Sequence, residues 1–282
     1  MNTPSAMASG APADVLALVT ATSPWSPAAL AAASLAAAFG ARLSGCYIDP
    51  GLRMLHGGEP EPSVLALLID PPREHPGDQA SFLAMARESG VHRASWMVTR
   101  AGIAQTMRQL GAWHDLIVIE RDMVDDTIAF DVLGEALLTC RTPCLLLPPS
   151  WQGPVRAERV ALTWNGSIES ARAMHAALPF VHGAGDVVLL DGEAPTYDDD
   201  PQHAPRFDPA VYLANHGIKT RVRRVHATPG EAGVALLREV EGARSDLLVM
   251  GAYGHSRVRE RVLGGATRHV LQHVNVPVLM QH

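Results

Sequence analysis

The chain contains its own pattern twice. Asp115–Ile119 (DLIVI) is echoed by Asp246–Met250 (DLLVM), and Arg141–Leu147 (RTPCLLL) by Asn275–Met280 (NVPVLM). Earlier in each half, Phe39–Asp49 is matched by His182–Asp191, and Asp14–Thr20 by Arg159–Trp164. The offset runs from 131 residues (115 to 246) to 145 (14 to 159), which is the size of a domain and excludes a short-period solenoid. A length of 282 residues accommodates two such copies. The turn-rich stretch 148–154 (PPSWQGP) reads as their linker. The expected organisation is a small-residue lead-in over 1–12, a first domain over 13–148 and a second over 155–282.

Within each copy, β-type apolar runs alternate with helical patterns. The first half predicts strands near 14–20, 42–48, 93–99, 115–119 and 143–147, and helices near 26–39, 77–90, 102–111 and 130–139. The second predicts strands near 159–164, 186–191, 219–226, 246–250 and 277–281, and helices near 167–180, 208–216, 230–243 and 265–274. The strands are continuous apolar runs rather than alternating ones. Both faces are therefore buried and the sheet is parallel and helix-covered. The fold class that follows is α/β, with a doubly wound five-stranded parallel sheet in each half.

Composition narrows the function. Hydrophobic residues make up 47% and charged residues 18%, as in a soluble globular protein with ample core. A net charge of −6 argues against a general nucleic-acid binder, which needs a basic face. No run reaches the roughly 18 apolar residues of a membrane span. The Ala-rich stretch 28–41 has no Lys or Arg before it, so it does not read as a secretory signal. Cys46, Cys140 and Cys144 are odd in number and make no metal or disulfide framework. Cys140 and Cys144, on either side of Pro143, fit either buried small hydrophobes or a redox pair. A reducing cytoplasm is the expected compartment.

The last segment carries the chemistry. The apolar run ending at Met250 leads to Gly251, then Gly254 three positions on, then Gly264 and Gly265 at the head of a helical pattern. Glycines let a backbone approach a phosphate closely, and the first N–H groups of a helix point at the anion. This G-x2-G-x9-G run, continued through His269 to Met280, resembles the universal stress protein family, whose nucleotide-binding members have Ser or Thr after the third glycine. Gly265 stands there instead. It removes a hydroxyl donor and keeps the backbone N–H.

The resemblance implies a Rossmann-like, adenine nucleotide alpha hydrolase-like fold in both halves. It implies a site for ATP or AMP, with magnesium if ATP, in the second half. Thr163, Trp164 and Asn165 would line the base side with Gly192, and Met250 and Gly251 would run beneath the ribose. Gly254, Gly264, Gly265 and Ala266 would wrap the phosphates. Asn165 stands where family members usually have Asp; its amide still donates and accepts but brings no charge. The resemblance also implies that the two halves pair through their fifth strands as an intramolecular pseudo-dimer, with a further homodimer open.

Other residues carry weaker signals. Ser167 reads as a helix N-cap. The arginines of 255–263 suit either a polyphosphate or a solvated loop, and Ser256 or Thr267 could replace the hydroxyl missing at 265. His269 and His273 share a helix face but lack a third ligand for zinc. The acidic loop 197–203 reads as solvated. In the first half Glu120 occupies the place of Gly251, no glycines follow, and carboxylates would repel a phosphate; that half reads as a degenerate copy. The connection 50–77, with the apolar run 64–69, is too apolar for a simple loop, and its role is not legible.

Three functions fit. One is a regulatory, stress-response protein that binds an adenine nucleotide, if any, in the second half and acts through protein partners. Another is a ligand-free interaction scaffold with vestigial sites. The third is a slow ATP hydrolase, disfavoured because Gly265 and Asn165 remove a hydroxyl and a carboxylate and no Walker-type lysine follows the glycines.

Overall fold

The computed structural model describes residues 10–49, 53, 75–123, 129–149, 151–192, 207–228, 230–252 and 265–282. The chain divides into two compact units, Met1–Val155 and Arg156–His282.

In the first unit the strands are β1 (Asp14–Val19), β2 (Arg42–Ile48), β3 (Ala94–Thr99), β4 (Leu116–Glu120) and β5 (Cys144–Leu147). Its helices are α1 (Pro27–Phe39), α2 (Asp78–Glu88), α3 (Ile103–Gly111) and α4 (Ala129–Thr139). The second unit has β6 (Arg159–Trp164), β7 (Asp186–Gly192), β8 (Arg221–Val225), β9 (Leu247–Gly251) and β10 (Val278–Gln281). Its helices are α5 (Ile168–Val181), α6 (Pro209–Asn215), α7 (Ala232–Gly242) and α8 (Gly265–His273). Each lies within one or two residues of its expected range.

Strand order is β3-β2-β1-β4-β5 in the first unit and β8-β7-β6-β9-β10 in the second. All pairings within each unit are parallel. The chain thus winds outward from β1 through β2 to β3, returns to the other side of β1 at β4, and continues to β5; the second unit repeats the path. The central strands are apolar along their middles because helices seal them. Val15–Val19 and Leu116–Ile119 are buried throughout, as are Val160–Leu162 and Leu247–Met250.

Local chemistry explains several repeated residues. Pro27 opens α1 at the first helical position, where its missing N–H costs nothing. The buried face of α1 is nearly all alanine, which lets the helix lie close on β1 and β4. Asp115 accepts hydrogen bonds from the N–H groups of Ala13 (2.8 Å) and Asp14 (3.1 Å), and the Asp115 N–H donates to Asp14 O. Asp246 accepts from the Arg159 N–H at 2.9 Å, and its own N–H donates to Arg159 O. The repeated aspartate therefore clips the start of one central strand to the start of its neighbour in both units.

The first unit adds an aromatic cluster beside β2. Phe82 on α2 is fully buried and packs on Trp25 (centroids 5.6 Å apart) and Trp96 (5.0 Å). Its ring lies over Gly45, where a Cβ would come within 2.4 Å of it. Gly45→Ala is expected to lower the stability of the first unit by about 1–3 kcal/mol through overpacking, measured by urea unfolding.

Candidate functional site

The carboxyl ends of β6 and β9 are adjacent. The chain leaves β6 toward β7 on one side and leaves β9 toward β10 on the other. This is the place where ligands bind in doubly wound sheets. Thr163 and Trp164 end β6, Asn165–Ser167 form the turn into α5, Met250 and Gly251 end β9, and Gly192 ends β7. Gly265 and Ala266 are the first residues of α8. Gly254 and Gly264 lie outside the described residues, as do the arginines of the spacer, Ser256, the loop 197–203 and most of 50–77.

Gly251 is held by packing. A Cβ there would lie 2.5 Å from the Ser170 nitrogen and 2.6 Å from the Glu169 carbonyl carbon. The first turn of α5 therefore rests directly on the end of β9, and residue 251 has no room for a side chain whether or not a ligand is bound. Gly192 is tight as well, with a Cβ placed 3.3 Å from Trp164 O. Gly265 is the opposite case. It is exposed, and a Cβ would meet nothing within 4 Å among the described residues.

The turn after β6 is tied internally. Asn165 Oδ1 accepts from the Ser167 N–H (3.1 Å), and Ser167 Oγ accepts from the Ser170 N–H (3.1 Å). Ser167 is thus the N-cap of α5. Trp164 is half-buried and leans on Phe207, with ring centroids 6.0 Å apart. Phe207, itself 54% exposed, meets Tyr212, whose hydroxyl is 2.6 Å from His175 Nδ1. Sequence reasoning missed this aromatic row. Its only sequence sign is a pair of aromatics flanking the start of a short helix, which does not reveal their approach to residue 164.

Thr267 is 5% exposed and belongs to the buried side of α8. His269 and His273 stack at 4.2 Å; His273 Nδ1 bonds to His269 O, and His269 packs where Gly233 leaves space on α7. No cluster of three His, Cys, Asp or Glu gathers among the described residues, nor does any described helix have the length and apolar character to cross a membrane.

In the first unit the equivalent strand end is filled by the chain's own carboxylate. Glu120 is 6% exposed. Its Oε1 accepts from the Ala28 N–H at 3.0 Å, in the first turn of α1, and the Thr20 hydroxyl donates to both carboxylate oxygens at 3.4 Å. Arg53 is anchored nearby on the carbonyls of Ile48 and Thr20. Burial pushes the Glu120 carboxyl above its ordinary value of 4.5, only partly offset by the hydrogen bonds from Ala28, Ser26 and Thr20.

Residues 157–282 match the family model described as the universal stress protein family. The second unit is a universal stress protein domain. Universal stress protein Slr1230 of Synechocystis sp. is 32% identical over 141 residues, which is 49% of this chain and 46% of that protein. The chain thus spans about half the length of that relative. Two solved structures share the fold across nearly the whole chain at low identity. A universal stress protein from Archaeoglobus fulgidus has a TM-score of 0.64 at 13% identity, with 95% of each chain covered. A functionally unknown protein from Pseudomonas aeruginosa has a TM-score of 0.61 at 13% identity, covering 96% of this chain and 93% of that one. The universal stress fold therefore extends to the first unit, although the family model matches only the second.

Two measurements follow from this geometry. Gly251→Ala is expected to destabilise the second unit by about 1–3 kcal/mol, whereas Gly265→Ala is expected to leave stability unchanged or raised by about 1 kcal/mol, both read by urea unfolding. For Glu120 the folded carboxyl holds its proton to higher pH than the unfolded one. Its contribution is therefore complete below 4.5 and is lost as pH rises through the raised folded value. Glu120→Gln keeps an acceptor for Ala28 and cannot ionise. Its stability relative to the natural protein is expected to rise across that window and then level off above the folded value, as followed by unfolding at a series of pH values.

Proposed function

We propose that the second unit binds an adenine nucleotide, ATP or AMP, at the ends of β6 and β9, and that the protein is a regulator whose occupancy is read by protein partners. The observation that carries this proposal is the contrast between Gly251 and Gly265. The family's glycine spacing is present in a universal stress domain, and the position after its third glycine, Gly265, opens α8 as an exposed backbone that no described residue crowds. Backbone N–H groups at such a helix start suit a phosphate. The base would sit by Thr163, Trp164, Asn165 and Gly192, and magnesium would accompany ATP.

A regulatory role fits better than hydrolysis. Gly265 offers no hydroxyl, and Asn165 offers an uncharged amide whose oxygen already accepts from Ser167. Hydrolysis needs a group that orients water and neutralises developing charge. The first unit, with Glu120 seated on the first turn of α1, would exclude a nucleotide and serve as structure. A second reading, a ligand-free scaffold for protein partners, is favoured by the contact of Trp164 with Phe207, which already gives the indole a neighbour.

Titration calorimetry of ATP with magnesium, and of AMP, into the full chain and two variants at residue 265 tests the proposal. The natural protein is expected to show saturable binding. Gly265→Ser restores a hydroxyl donor and is expected to tighten ATP binding about fivefold, the worth of one hydrogen bond of about 1 kcal/mol. Gly265→Asp places a carboxylate at the start of α8, where it favours the helix and repels phosphate, so binding should weaken at least about tenfold with unfolding unchanged. Equal binding by all three would move the nucleotide elsewhere. Absence of binding in the natural protein and in Gly265→Ser would leave the scaffold.

A further inference from the structure

The turn Cys140-Arg-Thr-Pro-Cys144 lies at the amino end of β5, on the opposite edge of the sheet from the strand ends discussed above. Cys140 follows α4 directly, and its N–H donates to Ala136 O. Pro143 breaks the helical path, and Cys144 begins β5. The turn brings both sulfurs toward one carbonyl: Cys140 Sγ lies 3.9 Å from Thr142 O and Cys144 Sγ lies 3.3 Å from it. The two thiols also lie close enough to perturb each other's ionisation. Neighbouring elements hold them in place. Cys140 Sγ reaches Met107 O on α3 at 3.5 Å, and Thr142 Oγ1 donates to Gly111 O at 2.6 Å. Gly111 is where α3 makes room for the sulfur: a Cβ there would lie 2.8 Å from Cys140 Sγ.

We infer that Cys140 and Cys144 form a reversible intramolecular disulfide, with Cys140 as the attacking thiol and Cys144 as the resolving one, and with a hydroperoxide as oxidant. The Cys140 thiolate attacks one peroxide oxygen and the O–O bond breaks. The hydroxide released takes up the proton that Cys140 gave up, and Cys140 becomes a sulfenic acid. The Cys144 sulfur then attacks the Cys140 sulfur, the S–O bond breaks, and the departing hydroxide leaves as water with the Cys144 proton. Two thiols lose two electrons and two protons, and hydrogen peroxide becomes two waters. A dithiol reductant reverses the disulfide by exchange.

The assignment of roles follows from the asymmetry of the pair. The neighbouring Cys144 thiol pulls Cys140 down to about 7, whereas Cys140 and complete burial push Cys144 up. Cys46, alone on β2, is pushed up to about 12 by burial and is a poor nucleophile at neutral pH. Cys140 and Cys144 are 3% and 1% exposed, so a small oxidant reaches them when the end of α4 frays, which is among the least costly local openings of a helical segment.

The test is mass spectrometry of the full folded chain after treatment with hydrogen peroxide and quenching of free thiols. The natural protein is expected to lose two hydrogens, with peptide mapping placing the link between residues 140 and 144 and dithiothreitol restoring both thiols. Cys46→Ser is expected to behave identically. Cys144→Ser is expected to stop at a sulfenic acid on Cys140 that dimedone traps. The inference is overturned if the natural protein keeps both thiols under a dose that oxidises glutathione completely, if oxidation falls on Cys46, or if the 140–144 link forms only in urea. It is overturned equally if only links between chains appear.

Discussion

The first turn of α5 rests on the end of β9 with no allowance for a side chain, and the second unit's site is built around that contact. A Cβ at residue 251 would enter the backbone at Glu169 and Ser170. Close approach brings a strand end, a capped helix start and the turn Asn165–Ser167 together. The first unit meets the same problem differently. A helix start lying against a strand end has N–H groups without helical partners, and these need an acceptor when buried. At α1 the acceptor is the carboxylate of Glu120, bonded to the Ala28 N–H; at α5 it is the hydroxyl of Ser167. One unit uses a long side chain from the strand, and the other a short one from the helix cap with glycine on the strand. Only the second arrangement leaves the strand end without a side chain.

The opposite edge of each sheet is more uniform. Asp115 and Asp246 do the same work, each holding the start of the adjacent central strand by its N–H groups. The repeat is plainest there. Divergence is concentrated at the carboxyl ends of the strands: Glu120 against Gly251, Thr20 against Asn165. The two units thus share a scaffold and differ at the strand ends.

How much of this was readable from residues alone depends on whether the cause is local. Continuous apolar runs such as Leu116–Ile119 and Leu247–Met250 announce strands buried on both faces, and the repeat announces two units, so the elements and the fold class were legible. The N-cap at Ser167 was legible too, because a serine three residues after the strand-ending Trp164 stands directly before a helical pattern. The seat of Glu120 was not. Sequence reading treats it as a charge that repels phosphate. Its hydrogen bond to Ala28, 92 residues away, depends on the closeness of two elements that spacing does not measure. The row Trp164–Phe207–Tyr212 was hidden for the same reason. The packing role of Gly251 was not legible either, because it requires knowing where α5 lies.

That last distinction changes what each glycine says about a ligand. Gly251 is demanded by the fold, since any side chain there strikes the backbone of α5. Its presence therefore carries little information about nucleotide. Gly265 is not demanded by any described neighbour: it is exposed, no described residue would meet a Cβ there, and glycine is an inferior helix former. A residue kept by packing constrains the architecture, whereas a residue that packing leaves free reports on whatever the solvent side holds. For the proposed nucleotide, the hydroxyl absent from position 265 is thus more telling than the glycine present at 251, because it would leave the phosphate to backbone N–H groups at the start of α8. Such groups recognise an anion by charge and shape and are indifferent to the donor set that a hydroxyl would impose. In the proposed site the phosphate end would therefore discriminate weakly among phosphorylated ligands, and discrimination would fall to the other end, where Thr163, Trp164 and Asn165 stand.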